Sequence, residues 1–171
     1  LSQADYSALF NGNIHKNVSN FIGDAQQFHK FTDFKYKIFS DLYNENTVKP
    51  FDFADKMIKS LAGFSELIII SSAPENLIFK ILKNKNLDVY FKSIFGINKN
   101  GKRETFVKQF DKNKDFYFIT DTAGDILEVK GLDIVSLAVT WGFHNEKNLL
   151  EVEPNYIVNE YHKLINLISK V

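Results

Sequence analysis

The chain contains 171 residues, with 21 basic and 21 acidic side chains and a net charge of zero, and its length suits one domain with at most a small subdomain. The balanced charge argues against a nucleic-acid partner or a polybasic membrane surface, and no apolar run reaches the roughly 18 residues that span a bilayer. Cysteine is absent, which excludes disulfides, thiol nucleophiles and cysteine metal sites and makes the cytoplasm the expected compartment.

The first part of the chain has a helical pattern, from residue 1 to about residue 46. Apolar side chains recur at helical spacing, and turn signals at Asn11-Gly12-Asn13 and Gly23-Asp24 divide the region. A linker follows and ends at Pro50, which cannot continue a preceding helix. We therefore predict a helical subdomain of residues 1–48 and a second domain of residues 49–171.

Beyond Pro50, strands alternate with helices. A helix is predicted to end at Gly63, and five apolar runs of strand length follow, at 67–70, 93–95, 116–119, 134–139 and 156–158. Two of these runs, at 67–70 and 116–119, are continuous, which is typical of strands buried on both faces. Helices are predicted between the strands and at the end of the chain, with inner faces that include Leu77, Ile78, Ile81, Leu82, Tyr161, Leu164, Ile165 and Ile168, and with segments at 104–110 and from residue 126.

This alternation predicts the fold class α/β, with a doubly wound, mostly parallel, Rossmann-like sheet and helices on both faces. In such sheets ligands bind beyond the carboxyl ends of the strands. The residues that follow Ile70, Ile119 and Val139 are therefore the candidates for a functional site.

Two serines follow the strand at 67–70. Ser71 and Ser72 lie where a strand meets the first amides of a helix, a position that suits phosphate or another oxyanion. A structural interpretation also fits Ser72, because Ser72 and Glu75 have the spacing of a capping box and Pro74 suits a first helical turn. Ser71 has no equally good structural explanation.

Two carboxylates follow the strand at 116–119. Asp121 and Asp125 are four residues apart with Gly124 between them, and magnesium needs only one or two carboxylates because it keeps several waters. A capping interpretation is also open, with Thr122 as N-cap and Asp125 three residues later. Capping explains Asp125 but leaves Asp121 unexplained.

Two further residues have both a functional and a structural interpretation. Lys102 stands at the start of a predicted helix and would neutralise a nearby phosphate, although the composition alone favours a solvated surface lysine. Trp141, beside Gly142 after a strand, could form the wall of a pocket or simply pack. The four histidines lack metal-ligand spacing, and the sequence contains no serine-hydrolase elbow, phosphate-binding loop or dinucleotide fingerprint.

The order of these parts resembles that of a known enzyme superfamily. A strand ending in Ser71 is followed by Lys102, then by a strand ending in Asp121 with Asp125 four residues later, and then by Val139-Thr140-Trp141-Gly142. This order is similar to the second, third and fourth motifs of the haloacid dehalogenase-like superfamily. The last stretch is similar to phosphoglycolate phosphatase-like members.

The resemblance covers about residues 50–168, and residues 1–46 resemble a helical cap. It implies a phosphatase that uses Mg²⁺ and hydrolyses a small phosphorylated metabolite selected by the cap. By this resemblance Ser71, with Ser72, would bind the transferring phosphoryl group, and Lys102 would neutralise charge on the phosphate and the nucleophile. Asp121 would help to hold magnesium, and Asp125 would support that metal site.

The family's first motif is a strand that ends in Asp-x-Asp and supplies the nucleophile and the general acid, and no Asp-x-Asp occurs in this chain. In the family that strand lies between the strands that end here in Ser71 and Asp121. Without it both strands would present unpaired edges, which folded proteins avoid. The expectation is that the segment with the nucleophile lies upstream of Leu1.

Two other functions remain open at this point. The missing nucleophile favours a catalytically inactive relative that acts as a binding or interaction module. A different reaction within the superfamily, that of a phosphosugar mutase or a dehalogenase, is the other alternative. The predicted magnesium site speaks against a dehalogenase, which needs no metal in this family.

Overall fold

The structure, a computed structural model, describes residues 2–42, 48–96, 102–109, 111 and 114–170. The predicted linker, from residue 44, falls largely outside these ranges, as do Gly101 and Phe110. The chain forms two compact units, one of Leu1–Asn20 with Asn100–Val171 and the other of Phe21–Lys99. The predicted division into residues 1–48 and 49–171 is a different partition and stays a prediction.

The helices and strands of the described residues alternate as the sequence predicts beyond Pro50. In chain order they are α1 (Gln3–Ala8), α2 (Ile14–Ile22), α3 (Ala25–Leu42), α4 (Ala54–Ala62), β1 (Leu67–Ile70), α5 (Glu75–Asn84), a 3-10 turn (Asp88–Tyr90), β2 (Phe91–Phe95), α6 (Lys102–Gln109), β3 (Tyr117–Thr120), α7 (Ala123–Val129), β4 (Val135–Val139), α8 (Glu146–Leu150), β5 (Tyr156–Val158) and α9 (Tyr161–Ile168).

The unit Phe21–Lys99 contains a parallel pair of strands. β1 pairs with β2 from Leu67 opposite Phe91 to Ile70 opposite Phe95, with an irregular register after Leu67. The four residues of β1 are half-buried, although their continuous apolar run predicted burial on both faces. Helix α5 connects the two strands, and its predicted inner residues are the half-buried ones, Leu77, Ile78, Ile81 and Leu82.

The other unit contains a three-stranded parallel sheet in the order β3-β4-β5. The central strand β4 is the most deeply buried, with Leu137 and Ala138 fully inaccessible, because it has a paired strand on each side. Ile126 of α7 and Leu149 of α8 pack with Ala138 to form the core of this sheet. From helix α9, Leu164 is also fully buried.

The edge strand β3 alternates between buried and accessible residues. Phe118 and Thr120 are buried, whereas Ile119 is 37% exposed. The continuous apolar run at 116–119 predicted burial on both faces, and this expectation is wrong for Ile119. Alternation is the ordinary pattern of a strand with one covered face.

Each of the two sheets has an edge at a strand that ends in a candidate residue. Within the described residues β1 pairs only with β2, and β3 pairs only with β4. The expectation of unpaired edges at these strands agrees with this topology.

The fold class is mixed α/β with parallel sheets, as predicted. The N-terminal region is helical, with a turn and bend at residues 9–12 and a break between helices at Gly23-Asp24. Helix α8 and the 3-10 turn at Asp88–Tyr90 were not predicted, because each is shorter than two helical turns and has no clear apolar period. Among the described residues, no helix is both long enough and apolar enough to cross a membrane.

Candidate functional site

Asp121 lies at the carboxyl end of β3 and is held by the loop that follows β4. The backbone N–H of Phe143 donates to the Asp121 Oδ2 atom at 2.7 Å. The backbone N–H of His144 donates to the Asp121 carbonyl at 3.0 Å. These two bonds fix both the main chain and the carboxylate of Asp121, and the described residues give Oδ1 no hydrogen bond.

Gly142 allows this loop to approach Asp121. A Cβ atom on Gly142 would lie 2.1 to 2.5 Å from the Asp121 Oδ2, Cβ and Cγ atoms, which is closer than real Cβ atoms come to other atoms. The glycine of the Thr140-Trp141-Gly142 stretch is therefore required by contact with the carboxylate. Trp141, which precedes it, is half-buried.

Lys102 and Asp125 form an ion pair between the start of α6 and the first turn of α7. The Lys102 ammonium group donates to Asp125 Oδ2, and the two side chains are only 16% and 14% exposed. The interpretation of Lys102 as a solvated surface lysine is therefore wrong. The backbone N–H of Lys102 also donates to the Glu128 side chain, which anchors the first turn of α6 on α7.

Thr120, the last residue of β3, adds a second partner to Asp125. Its hydroxyl donates to Asp125 Oδ2 at 2.7 Å and accepts the backbone N–H of Thr122 at 3.3 Å. Thr120 is buried, so these bonds are shielded from water and are stronger for it. A glycine at this position would supply neither bond.

The capping interpretation of the segment at 120–125 is wrong in its details. Thr122 occupies the N-cap position of α7, but its side chain makes no capping hydrogen bond. The first helical amide, that of Ala123, instead donates to Nδ1 of His144 at 2.8 Å. Asp125 is engaged by Lys102 and Thr120, so its role is not that of a capping-box partner.

The N-terminal segment contacts the first turn of α7. The N–H of Gly124 donates to the carbonyl of Phe10 at 3.0 Å, and a Cβ on Gly124 would lie 2.2 to 2.5 Å from backbone atoms of Phe10 and Gly12. Phe10 also packs on Phe143, with ring centroids 4.5 Å apart, and Tyr6 contacts both rings. Three aromatic rings thus lie beside the backbone that holds Asp121.

In the other unit, Ser71 and Ser72 follow β1 as predicted. The N–H of Ser71 donates to the Phe95 carbonyl at 2.8 Å, and its hydroxyl accepts the N–H of Ala73 at 3.1 Å. Ser71 therefore has a structural role as well, in a turn closed by its own side chain. Helix α5 begins after an N-cap at Pro74 and has no side-chain cap, so the capping interpretation of Ser72 is wrong.

Gly96, directly after β2, sets the path of the turn that contains Ser71. A Cβ on Gly96 would lie 2.4 to 2.8 Å from backbone atoms of Ala73 and Glu75. The turn between β1 and α5 therefore packs directly on a residue without a side chain.

The structure thus brings Lys102 and Asp125 together, places Asp121 at the preceding strand end, and leaves Ser71 and Ser72 in the other unit. Sequence reasoning missed Thr120, Gly142 and His144 as parts of the site. For His144 the available signal was its position soon after the end of β4. Metal-ligand spacing of the histidines along the chain carries no information on this contact.

The donor chemistry near Asp121 suits a hard cation with few protein ligands. Among the described residues, no three His, Cys, Asp or Glu side chains are placed to hold a metal together. Magnesium binds through one or two carboxylates and keeps its waters, and the Asp121 carboxylate has one oxygen without a bond from the described residues. The residues present therefore fit magnesium and do not fit an all-protein metal cage.

A groove of about 860 Å³ lies elsewhere in the same unit. It is lined from the amino ends of the three strands and from α9, by residues that include Tyr117, Val135, Tyr156 and Lys163. Asp121 lies at the opposite, carboxyl end of β3. Because the chemistry-bearing side chains are at that end, the groove is not the candidate site.

No protein-family model matches the sequence, and no curated protein matches it significantly. Solved structures do match the fold. A haloacid dehalogenase-like family hydrolase from Streptococcus pneumoniae is 17% identical and has a TM-score of 0.77, over 98% of this chain and 82% of that chain. A predicted phosphatase from Clostridium acetobutylicum is 20% identical, with a TM-score of 0.78, over 94% and 78%. A predicted phosphoglycolate phosphatase from Haemophilus somnus is 14% identical, with a TM-score of 0.72, over 98% and 83%.

Proposed function

We propose that this chain, which has the fold of haloacid dehalogenase-like hydrolases, is the main part of a magnesium-dependent phosphatase of that superfamily, in its phosphoglycolate phosphatase-like branch. The substrate class is a small phosphorylated metabolite with a phosphomonoester group. Two of the solved structures with this fold are described as phosphatases, which supports the reaction class. The expected compartment is the cytoplasm.

The observation that carries this proposal is the shielded Lys102–Asp125 pair beside Asp121. The motif order predicted these three residues as parts of one site, and the pair forms across 23 residues of sequence. A cation held in place near a strand end can stabilise negative charge that develops during phosphoryl transfer. A surface lysine that moved freely would stabilise this charge much less.

In the proposed reaction Lys102 would neutralise charge on the phosphate and on the attacking carboxylate. Asp125 and Thr120 would keep the Lys102 ammonium group in place. Asp121 would be a direct ligand of magnesium, and Asp125 the supporting carboxylate. Magnesium, when bound, would neutralise charge on the phosphoryl oxygens.

Ser71 would donate its hydroxyl hydrogen bond to the phosphoryl group, with Ser72 beside it. The hydroxyl of Ser71 accepts the N–H of Ala73, which places it in the turn that follows β1. The assignment of both serines to phosphate follows from the resemblance.

The proposed nucleophile is an aspartate of an Asp-x-Asp motif that precedes Leu1, because no such motif occurs between Leu1 and Val171. Within the described residues β1 and β3 each have one edge without a paired strand, where a further parallel strand would pair, and this supports the proposal. Hydrolysis would proceed through an aspartyl-phosphate: the phosphoryl group would pass from the ester oxygen to the first aspartate, and the second aspartate of the motif would protonate the departing alcohol. Water would then cleave the aspartyl-phosphate, releasing phosphate and the free carboxylate.

The test is an assay of the complete protein, with its upstream residues, against a panel of phosphomonoesters in magnesium. We expect metal-dependent release of phosphate. Asp121→Asn should abolish it, because a neutral amide lacks the negative charge of the carboxylate and is a weak ligand for magnesium. Asp115→Asn, an exposed aspartate before β3, is the matched control. No release from any ester would sink the proposal, and unchanged turnover of Asp121→Asn would refute the metal assignment alone.

The alternative function is a catalytically inactive binding or interaction module. The observation that favours it is the absence of Asp-x-Asp from the chain. The sequence of the gene upstream of Leu1 separates the two functions. An Asp-x-Asp after an apolar strand there would exclude the inactive module, and its absence would favour it.

A further inference from the structure

His144 is the most buried polar side chain near the candidate site, and the proposed chemistry does not use it. It is only 2% exposed. Its Nδ1 atom accepts a hydrogen bond from Ala123, so a neutral imidazole carries its proton on Nε2. Among the described residues Nε2 has no hydrogen-bond partner. A buried polar atom without a partner costs free energy. Other interactions of His144 must therefore offset this cost.

The bonds of His144 enclose the residue that is proposed to bind magnesium. Its backbone N–H donates to the carbonyl of Asp121 at 3.0 Å, and its ring accepts the N–H of Ala123 at 2.8 Å. One residue therefore holds both sides of the peptide segment Asp121–Ala123. A rotation of this segment would break at least one of the two bonds.

The two residues before His144 act on the carboxylate itself. The Phe143 N–H donates to Oδ2 at 2.7 Å. Gly142 lies so close to the Asp121 side chain that a Cβ atom at position 142 would overlap it. With Oδ2 engaged on the loop, Oδ1 is the oxygen that remains for a metal. The orientation of the carboxylate is thus decided by the loop at 142–144 and by the ring that anchors it.

We propose that His144 is a positioning residue that presents the Asp121 carboxylate to magnesium by locking the segment Asp121–Ala123 onto the loop at 142–144. The inference rests on the proposed metal role of Asp121. It goes beyond it by assigning a function to a histidine that neither motif spacing nor the resemblance singled out. His144 acts through hydrogen bonds and does not touch the metal or the substrate.

The test measures magnesium affinity directly, by titration calorimetry and by the fluorescence of Trp141, the single tryptophan. His144→Leu keeps the approximate volume but removes the acceptor for Ala123, and we expect the Kd for magnesium to rise roughly tenfold, since one net hydrogen bond changes an equilibrium by about this factor. His144→Asn offers an acceptor oxygen near the position of Nδ1, and we expect it to restore most of the affinity. His162→Leu, at an exposed histidine of α9, is the matched control and keeps the Kd of the parent protein.

A second variant guards against poor folding of the His144 substitutions. Gly142→Ala changes an exposed position, and its Cβ would displace the Asp121 carboxylate, so we expect the Kd for magnesium to rise severalfold. Gly63→Ala, at the end of α4, is the control for a glycine substitution. All these measurements use the complete protein without substrate.

The outcomes separate this inference from the proposed function. If the parent binds magnesium and both His144→Leu and Gly142→Ala bind it equally well, the positioning role is overturned and the metal site stands. If the parent shows no magnesium binding that depends on Asp121, the metal assignment fails and the positioning role fails with it. Weakened binding in His144→Leu with recovery in His144→Asn supports the proposal.

Discussion

At the scale of single residues, the site depends on charges that are shielded and fixed by neighbours. The Lys102 and Asp125 side chains are each less than one-fifth exposed, whereas those of the Lys108–Glu104 pair are 68% and 45% exposed. Exposed pairs contribute little to stability. A shielded pair with a third partner, here Thr120, is more costly to break because the remaining charge loses its compensation.

Replacement of Lys102 tests this difference. If the proposed function holds, we expect Lys102→Met to lower kcat/KM of the complete protein by about 100-fold or more, since a fixed charge near the phosphate would contribute on that order. The free energy of unfolding should fall by about 1–3 kcal/mol because Asp125 is left without its cation. Steady-state kinetics and urea unfolding measure the two effects.

The control for Lys102→Met is Lys108→Met on the same helix. Its pair with Glu104 is exposed, so both kcat/KM and stability should stay close to those of the parent. Normal turnover of Lys102→Met would remove the pair from the proposed mechanism.

At the scale of elements, a glycine that lies outside a tight turn can determine how closely two backbone segments approach each other. Gly96 ends β2, and backbone atoms of Ala73 and Glu75 occupy the space where its side chain would be. Contacts of 2.4 to 2.8 Å to backbone cannot be relieved by rotation of a side chain. The turn after β1, which contains Ser71, is therefore placed by β2.

A methyl group at Gly96 should move that turn. We expect Gly96→Ala to lower the free energy of unfolding by about 1–3 kcal/mol, the usual cost of an overpacked contact. Gly63→Ala is the matched change at a helix end, where the new Cβ would lie 3.2 Å from the Ser60 carbonyl, and it should cost less. Urea unfolding of both variants decides the matter, and equal stability would show that the turn adapts.

The sequence predicts the elements where the pattern is local. The run at Leu67–Ile70 is entirely Leu and Ile, and strand β1 begins and ends at the predicted residues. Helix α7 begins at Ala123, three residues before the predicted start at Ile126. Its first turn, Ala123-Gly124-Asp125, has no apolar period and a glycine of low helix propensity. Packing of Gly124 against the backbone of Phe10 and Gly12 holds this turn in helical conformation.

The site was predictable only in part, for a related reason. The order of strand ends and helix starts along the chain predicts Lys102, Asp121 and Asp125 as candidate residues, and the structure brings Lys102 and Asp125 together. The bonds of His144 and the close contact of Gly142 join positions about 20 residues apart through the geometry of adjacent strand ends. No spacing rule along the chain reports such contacts.

At the scale of the whole molecule, a metal ion that binds only the folded chain stabilises it by mass action. With a Kd of about 1 mM, 10 mM magnesium adds about 1.4 kcal/mol to the free energy of unfolding. For a chain of this length that corresponds to a rise in Tm of about 3–5 °C.

We therefore expect magnesium to raise the Tm of the complete protein and a chelator to return it to the metal-free value. Differential scanning calorimetry at constant ionic strength measures the shift, because added salt alone also screens the exposed ion pairs. Asp121→Asn should show no shift. A shift of the same size in Asp121→Asn would mean that the ion binds elsewhere.

The hydrogen bond from Gly124 to Phe10 also has a consequence for how the chain acquires its structure. The bond joins residues more than one hundred positions apart, so the intervening chain must be closed into a long loop before the bond can form. At ordinary rates of synthesis, Phe10 is made roughly 6–20 s before Gly124. The turn that holds Asp121 and Asp125 is thus completed by a contact that can form only after the more than one hundred intervening residues have been synthesised.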